Sequence, residues 1–304
     1  MPEHAFLLGL ITLLAAIVNG ALGYGFSSIT VPLALLFLAN RVLNPALVLL
    51  EVALNAYVLW VNRSAFPNVW RRVLPIVIGL TPGIVAGTAL LSRVNPGYLR
   101  FGTFIALLPL ILLQAAGYRR PIRSERSVGL VFGAGVGVLY AVTTISGPPL
   151  AVMLSNQGLT KKDFRASLGF VRLAESSLTA VAYGYAALYT ETSLSLIPWI
   201  LPSIVIGVPI GARIIQHVRP ETFRRVCMSF DAWVVAFGLS RLLRELGLMD
   251  SNAAYLVLVA VAVFDTWLLY RFFTRSSEGG PAAQAYEAAQ EIFQTQPPAP
   301  IARK

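Results

Sequence analysis

Long runs of apolar residues, separated by short polar or basic stretches, recur along almost the whole sequence. A helix needs roughly 20 mostly apolar residues to cross a hydrocarbon core of about 30 Å. The pattern predicts an all-α integral membrane protein that crosses the bilayer many times. The uninterrupted spans are predicted near Pro45–Val61, Arg72–Ser92, Tyr98–Gly117, Phe164–Tyr189, Leu194–Gln216, Thr222–Leu243 and Ala253–Phe273.

Two further apolar segments, Ala5–Ala39 and Ser127–Ser155, are each interrupted in the middle by small and polar residues. The first break, Asn19–Thr30, holds three glycines and three hydroxyl side chains, and the second is Thr143–Pro149. Glycine permits a turn and close approach of a ligand to the backbone. Proline suits the first turn of a helix, where its missing N–H is not needed. Each segment is therefore predicted to be a broken or hairpin helix.

The two halves of the chain align with each other. Pro32-Leu33-Ala34 matches Pro149-Leu150-Ala151. The further matches are Gly83, Gly87, Pro96 and Arg100 with Gly207, Gly211, Pro220 and Arg224. We therefore predict a first membrane repeat over residues 1–120 and a second over 121–245. An extra C-terminal spanning helix over 246–275 and a disordered cytoplasmic tail over 276–304, rich in Ala, Gln and Pro, follow.

The distribution of basic residues indicates whether each interrupted segment crosses the membrane once or turns back to the side from which it starts. If Ser127–Ser155 crosses the membrane once, the two sides carry 11 and 9 basic residues, but if it turns back the split is 15 to 5. Only the second split follows the positive-inside rule, so the basic side is assigned to the cytoplasm. With Ala5–Ala39 also turning back, the repeats are inverted. Inverted repeats with broken helices are a recurrent transporter plan that holds substrate near the midplane.

The breaks are candidates for an anion site. Non-helical backbone at membrane depth survives only inside protein or along a wet cavity. The start of each half-helix offers unpaired amides and a partial positive charge to an oxyanion. The alternative is that these small residues only let helices pack closely. The predicted substrate-binding residues are Gly23, Gly25, Ser27, Ser28, Thr30, Thr143, Thr144, Ser146, Gly147 and Arg172, with Thr144 as the repeat counterpart of Ser27.

Ionisable side chains inside predicted spans are the second set of candidates. Each costs about 2.5–3.5 kcal/mol at a helix centre, so such residues usually have a partner or a function. Glu51 and Glu175 occupy equivalent repeat positions and are predicted to carry a coupling proton, with Arg172 adding positive charge to the anion path. The alternative is a structural Arg172–Glu175 pair with Glu51 bonded to Asn55. Two further acids, Asp231 and Asp265, are weaker candidates.

Several motifs resemble those of one bacterial permease family. The glycine-rich break leads into Val31-Pro32-Leu33, and Ile145-Ser146-Gly147-Pro148-Pro149-Leu150 is followed by Phe164-Arg165-Ala166-Ser167-Leu168. Over roughly Ala5–Leu243 the chain resembles the sulfite exporter TauE/SafE family, also called the toluene sulfonate uptake permeases. The resemblance implies a secondary transporter of sulfite, a sulfonate or a related oxyanion in the bacterial inner membrane, coupled to the proton gradient. It also implies that Gly23–Thr30 and Thr143–Pro149 line the substrate site.

Other functions are disfavoured by composition. The formal net charge is +10, but the basic residues lie mainly between spans, so no nucleic acid partner is expected. A single cysteine, Cys227, excludes an intramolecular disulfide. Only His4 and His217 occur, neither within a predicted span, so no enzyme, metal site or cofactor is expected. The expected partners are a small anion, protons and the lipid bilayer, and the oligomeric state is not determined. A passive anion channel, or a carrier of a small carboxylate or inorganic anion, remains the alternative.

Overall fold

The computed structural model describes residues 2–115, 125–155, 159, 161–214, 220–249 and 252–277. Throughout these ranges the chain forms helices and connecting turns without any strand, so the predicted all-α fold is confirmed. The helices are α1 (Pro2–Leu22), α2 (Phe26–Ala34), α3 (Asn40–Val61), α4 (Phe66–Arg93), α5 (Pro96–Ala115), α6 (Glu125–Thr143), α7 (Gly147–Ser155), α8 (Lys161–Tyr185), α9 (Glu191–Leu194), α10 (Ile197–Ile214), α11 (Pro220–Glu245) and α12 (Leu256–Ser277).

Six helical stretches are long and apolar enough to cross a bilayer, so the chain is a multi-pass membrane protein. They are Ala5–Leu22, Asn40–Val61, Arg63–Arg93, Glu191–Ile214, Arg225–Glu245 and Asn252–Thr274, with shorter apolar helices at Pro96–Leu112 and Val128–Thr143. The predicted basic loop 118–126 and tail 276–304 lie mostly outside the described residues.

One predicted span has the wrong end. The span predicted to reach Tyr189 stops at Tyr185, where the N–H of Leu188 bonds back to the carbonyl of Tyr183. Ala187 adopts a left-handed conformation there, with φ 52°. This closing turn ends α8 although the sequence stays apolar, because a left-handed residue cannot continue a right-handed helix.

Both interrupted segments are broken where the sequence predicts. The first is non-helical between Leu22 and Phe26, with Gly23 at φ 82° and Gly25 at φ 110°. These angles favour glycine because it has no Cβ to clash. The second break separates α6 from α7, and Thr144 there has φ 57°. Eight of the nine residues of α2 are buried, so the first half-helix lies inside protein rather than in lipid.

Close glycine contacts give the relative direction of two helix pairs. In α4, Gly79 and Gly83 lie directly against the backbone of Leu130 and Ala134 in α6, so both helices run the same way. In α10, Ser203 donates to the carbonyl of Gly9, and Gly211 lies against Ile17, so α1 and α10 also run the same way. These two pairs have the most extensive contacts in the described structure, as small residues at membrane helix interfaces permit.

The direction of α8 determines the path of the second interrupted segment. Arg41 at the start of α3 donates to the carbonyls of Leu91 and Ser92 at the end of α4, so these helices are antiparallel. Gly169 lies against Leu59, and Asn55 donates to the carbonyl of Arg172, so α3 and α8 are antiparallel as well. Therefore α8 runs parallel to α4 and α6. For this to hold, α7 must return the chain to the side from which α6 starts.

The last helices complete the bundle. α5 packs against α11, and α11 packs against α12. Arg225 in α11, which is one of the 15 basic residues assigned to the cytoplasmic side, is buried and donates to Asp265 Oδ1 at 3.0 Å. The sequence places Arg225 near the end of a span, but the neighbouring acid of α12 holds its guanidinium within the protein. α12 is therefore attached to α11 by a buried ion pair as well as by apolar packing.

Candidate anion-binding site

The two breaks face each other at the centre of the bundle. Gly147 begins α7 and lies directly against the ring of Tyr24 in the first break, where a Cβ on the glycine would come within 3.2 Å of Tyr24 Cδ2. Tyr24 is itself 7% exposed. The two half-helix starts, far apart in sequence, therefore belong to one buried region.

The carboxylate of Glu51 accepts three hydrogen bonds from side chains in this buried region. Its Oε1 accepts hydrogen bonds from Ser27 Oγ at 2.5 Å and from Arg172 Nη2 at 2.9 Å, and its Oε2 accepts one from Tyr140 at 2.6 Å. Glu51 is fully buried and Arg172 is 3% exposed. A buried carboxylate needs a charged partner and several donors, which α2, α6 and α8 supply here to α3.

Glu175 has a different environment. Ser146 Oγ, directly before α7, donates to its Oε2. Its Oε1 is buried and accepts no hydrogen bond from the described residues. Arg172 pairs with Glu51 and not with Glu175, so the alternative of a local Arg172–Glu175 pair is wrong. The side chain of Asn55 also does not bond Glu51, because it donates to Arg172 O and Ser176 Oγ.

The two half-helix starts thus carry matching hydroxyl–carboxyl contacts, Ser27 with Glu51 and Ser146 with Glu175. The sequence alignment assigns Thr144 as the counterpart of Ser27, yet the contact is made by Ser146. Thr144 Oγ1 instead donates to the carbonyl of Thr143 at 2.7 Å. The difference arises because the alignment counts positions from the prolines, whereas the contact depends on where each half-helix begins.

The other hydroxyls of the breaks have separate surroundings. Thr143 Oγ1 donates to Leu139 O and accepts from the N–H of Ile145, so it holds the end of α6 in shape. Thr30 is fully buried, and its hydroxyl has no hydrogen bond to the described residues. Ser28 lines a small cavity next to Asp231.

Side chains also satisfy the backbone at the second break. Val142 O accepts from Asn44 Nδ2 at 2.6 Å and from Asn40 Nδ2 at 3.2 Å, and Ala141 O accepts from Tyr183 at 2.5 Å. The carbonyls that end α6 would otherwise be unpaired at membrane depth, at a cost of several kcal/mol each. Because these side chains bond the last carbonyl groups of α6, the helix can end there without exposing polar backbone to lipid.

Several buried polar atoms of α1, α2 and α8 form no hydrogen bond with the described residues. They are Asn19 Oδ1, Thr30 Oγ1, Arg172 Nε, Glu175 Oε1 and Thr179 Oγ1. Buried groups of this kind need a partner, which in proteins is often water or a ligand. These helices therefore have hydrogen-bonding capacity beyond what their own side chains use. It includes a cationic donor, Arg172, and the neutral hydroxyls of Thr30 and Thr179.

Sequence reasoning missed Tyr140 and the backbone-binding residues Asn40, Asn44 and Tyr183. Tyr140 lies one helical turn before Thr144, so its distance from the break was a usable signal. The sequence gives no signal that the side chain of Tyr140 points toward Glu51, because α6 is apolar on several faces and no face stands out as the one that meets α3.

A comparison with known protein families shows to which family the chain belongs. The family model described as Sulfite exporter TauE/SafE matches residues 8–238. The chain belongs to the sulfite exporter TauE/SafE family. TauE/SafE proteins are membrane transporters, so the prediction that the chain is not an enzyme is confirmed. The matched region contains both breaks and the Arg172 cluster and ends before α12.

Two known proteins are similar to the chain over about half of its length. The chain is 26% identical over 172 residues to "Probable sulfite/organosulfonate exporter TauE" of Cupriavidus necator, a match that covers 52% of this chain and 63% of that protein. It is 25% identical over 177 residues to "Probable inner membrane transporter protein TsaS" of Comamonas testosteroni, covering 56% of this chain and 71% of that protein. The chain thus spans less than two thirds of the first relative. No solved structure matches it.

Proposed function

We propose that this TauE/SafE protein is a secondary transporter that moves sulfite, a sulfonate or a related small oxyanion across the bacterial inner membrane. Family membership supports a transporter, and the names of the two relatives support sulfur oxyanions and the inner membrane. The single observation that carries the site is Arg172, a buried guanidinium between the two breaks with one nitrogen lacking a partner among the described residues.

The proposed mechanism is alternating access between two inverted repeats, 1–120 and 121–245. The contacts support this plan, because α1 packs on α10 much as α6, its repeat counterpart, packs on α4. α3 also packs on its counterpart α8, and α5 on α11. The opposite directions of α3 and α8 support inversion. The positive-inside rule supports a cytoplasmic position for the tail 276–304.

Arg172 suits an oxyanion because a guanidinium donates to two oxygens at once in a planar geometry. The hydroxyls of Ser27 and Ser146, and the amides that begin α2, add neutral donors. The start of α7 adds only the amide of Gly147, because Pro148 and Pro149 have no N–H. Gly23, Gly25 and Gly147 leave the backbone accessible near these amides. A sulfur oxyanion presents several acceptor oxygens and so matches a site built from donors.

Competition for Arg172 gives a reason for proton coupling. An anion that binds the free Nε and the Nη2 of Arg172 together must displace Glu51 from Nη2, and the carboxylate of Glu51 would then be buried without its charged partner. Such a state costs several kcal/mol, so Glu51 takes up a proton as the anion binds. The charge then balances: the empty site holds Arg⁺ and Glu⁻, and the loaded site holds Arg⁺, the anion and a neutral Glu51. Glu175, bonded by Ser146, is the second proposed proton position.

The test compares two buried arginines in the purified full-length protein. Arg172→Gln should abolish the thermal stabilisation given by sulfite, thiosulfate, taurine or aromatic sulfonates, since a bound anion stabilises the folded state. Arg225→Gln is the matched control, because Arg225 also pairs with a buried acid but lies outside the cluster. It should lower the melting temperature and keep the anion response. An intact response in folded Arg172→Gln would refute the site.

Flux in proteoliposomes separates a coupled carrier from a channel. The proposed carrier accumulates its anion against a gradient when a pH gradient is imposed, and loses this accumulation when protons equilibrate. A channel would only equilibrate the anion, whatever the pH gradient. Measured accumulation with and without a protonophore therefore decides between these two functions.

A further inference from the structure

A small cavity lies beside the first break, between α1, α2, α5 and α11. It has a volume of about 20 Å³, close to the space that one water molecule needs. Its wall is mainly apolar and includes Val18, Leu22, Ser28, Cys227 and Asp231. Gly25 and Ser28, two of the predicted anion-binding residues, belong to this wall, but the anion site described above does not use the carboxyl group of Asp231.

Asp231 is 7% exposed and forms no hydrogen bond or ion pair with any side chain in the described ranges. The comparison with Asp265, one helix away, is direct. Asp265 is fully buried but pairs with Arg225 at 3.0 Å. An ionised carboxylate without a partner in a low-dielectric interior is so costly that the group neutralises instead. Asp231 in this cavity is therefore stable as the protonated acid, whereas Asp265 has a charged partner in Arg225.

The surroundings of Asp231 supply no compensating charge. α1 and α5 contribute only the aliphatic side chains Val18, Leu22 and Ile111 to the wall. From the break and α2 come the phenol of Tyr24 and the hydroxyl of Ser28, and from α11 itself the thiol of Cys227. Toward α12, the charged groups are the mutually paired Arg225 and Asp265. Among the described residues that face it, the carboxyl is the only strongly acidic group of the cavity.

The cavity shares one structural element with the anion site. Ser27 donates to Glu51 on one side of α2, and the next residue, Ser28, lines the cavity that contains Asp231. Gly25, which caps α2 with φ 110°, belongs to the same wall. The start of α2 thus lies between two ionisable groups. A change of charge at Asp231 acts on the helix start that also positions Ser27.

The C-terminal ends of α1 and α6 differ in whether side chains donate hydrogen bonds to their last carbonyl groups. The final carbonyls of α6 accept hydrogen bonds from Asn40, Asn44 and Tyr183. Those of α1 receive no side-chain donor from the described part of the chain, and Leu22, its last residue, lies in the cavity wall. A helix C-terminus carries partial negative charge, which disfavours a carboxylate and favours a group that holds a proton.

We propose that Asp231 is a proton-binding residue of the transport cycle, separate from Glu51 and Glu175, and that its protonation is coupled through α2 to the anion site. The coupling part rests on the proposed transport function. The proton-binding part does not, because it concerns only the cavity. Loss of the proton places a charge beside the C-terminus of α1 and displaces the start of α2 toward a wetter position.

Carbodiimide labelling tests the proton-binding part without any substrate. A protonated carboxylic acid adds to an apolar dialkylcarbodiimide: its proton goes to one nitrogen, its oxygen bonds the central carbon, and the acyl group then shifts to nitrogen. The whole reagent is retained as an N-acylurea, which mass spectrometry of peptides locates. Asp231 should be modified, and the yield should fall as pH rises. Asp265 is the internal control and should stay unmodified because it is paired with Arg225.

Transport by Asp231→Asn tests the coupling part. The variant should keep anion-dependent thermal stabilisation, within about twofold of wild type, but lose accumulation driven by a pH gradient. Absence of the adduct on Asp231 at every pH tested, or equal labelling of Asp265, would overturn the proton site. Wild-type accumulation by Asp231→Asn would overturn its coupling role. If no sulfur anion stabilises or crosses with the wild-type protein, the proposed function fails while the labelling result stands by itself.

Discussion

Replacement of Glu51 by glutamine tests the competition for Arg172 most sharply. Glutamine has almost the same shape as glutamate, so its oxygen can keep the contacts of Oε1 with Ser27 and Arg172. Its amide nitrogen then faces Tyr140, whose hydroxyl can turn to accept instead of donate. The substitution therefore removes the negative charge and little else.

The magnitude follows from burial of the pair. Arg172 Nη2 lies 2.9 Å from Glu51 Oε1, with side-chain exposures of 3% and 0%. Removing one partner of such a pair costs about 3–5 kcal/mol, since the other charge stays buried without compensation. A bound anion restores the missing negative charge. If it recovers only half of that energy, its affinity rises tenfold or more, because about 1.4 kcal/mol corresponds to a factor of ten.

The assay is thermal unfolding of purified Glu51→Gln with increasing sulfite or sulfonate at two pH values. Without anion, the variant should melt below wild type. With anion, it should respond at concentrations at least tenfold lower, and more uniformly with pH, because no proton uptake by Glu51 is required. Asp265→Asn is the matched control: it leaves Arg225 unpaired and lowers stability, but the anion response should not change. Weaker or unchanged anion affinity in folded Glu51→Gln would refute the competition.

Two other substitutions test the packing and the second half-helix. Gly83→Ala should destabilise the protein by about 1–3 kcal/mol or more, because the added Cβ would lie 2.1 Å from a backbone oxygen of α6. Gly102→Ala in α5, with open space around it, should be neutral or slightly stabilising in the same melting experiment. Ser146→Ala removes the donor to Glu175 and should cost about 1–3 kcal/mol, with weaker anion binding. Equal melting temperatures for the two glycine variants, or full anion binding by Ser146→Ala, would contradict these interpretations.

The partner of Arg172 shows where local reasoning stops. In sequence, Glu175 lies one turn after Arg172 on the same helix, so spacing alone supports a pair between them. The structure instead brings Glu51 from α3, 121 positions away, to 2.9 Å. Neither pairing, of Arg172 with Glu175 or with Glu51, conflicts with the helical geometry of α8. The choice depends on how α3 and α8 pack, and a pattern within one helix carries no information about that.

The same limit applies to Thr144 and Ser146. Alignment of the halves finds the second break and its hydroxyls, since glycine and proline mark interruptions whatever surrounds them. Which hydroxyl reaches a carboxyl depends on the residue at which the half-helix starts, and this shifts between the two breaks. Tyr140 illustrates the point further. Its distance from the break is a signal, but nothing in an apolar helix with many glycines shows that its side chain faces Glu51.

By itself, the sequence determined that this is a multi-spanning helical membrane protein, that two segments break near Gly23–Gly25 and Thr144–Ser146, and that Glu51 lies within a span and Arg172 and Glu175 within a long helix. These properties follow from local chemistry: apolar length, backbone freedom at glycine, the missing amide of proline and the cost of charge in lipid. Only the tertiary structure decided that Arg172 pairs with Glu51, that Ser146 bonds Glu175, and that Asp231 stands alone in a cavity while Asp265 is paired. Such contacts join helices distant in sequence, and their energies depend on the burial and direction of side chains that the packed bundle alone defines.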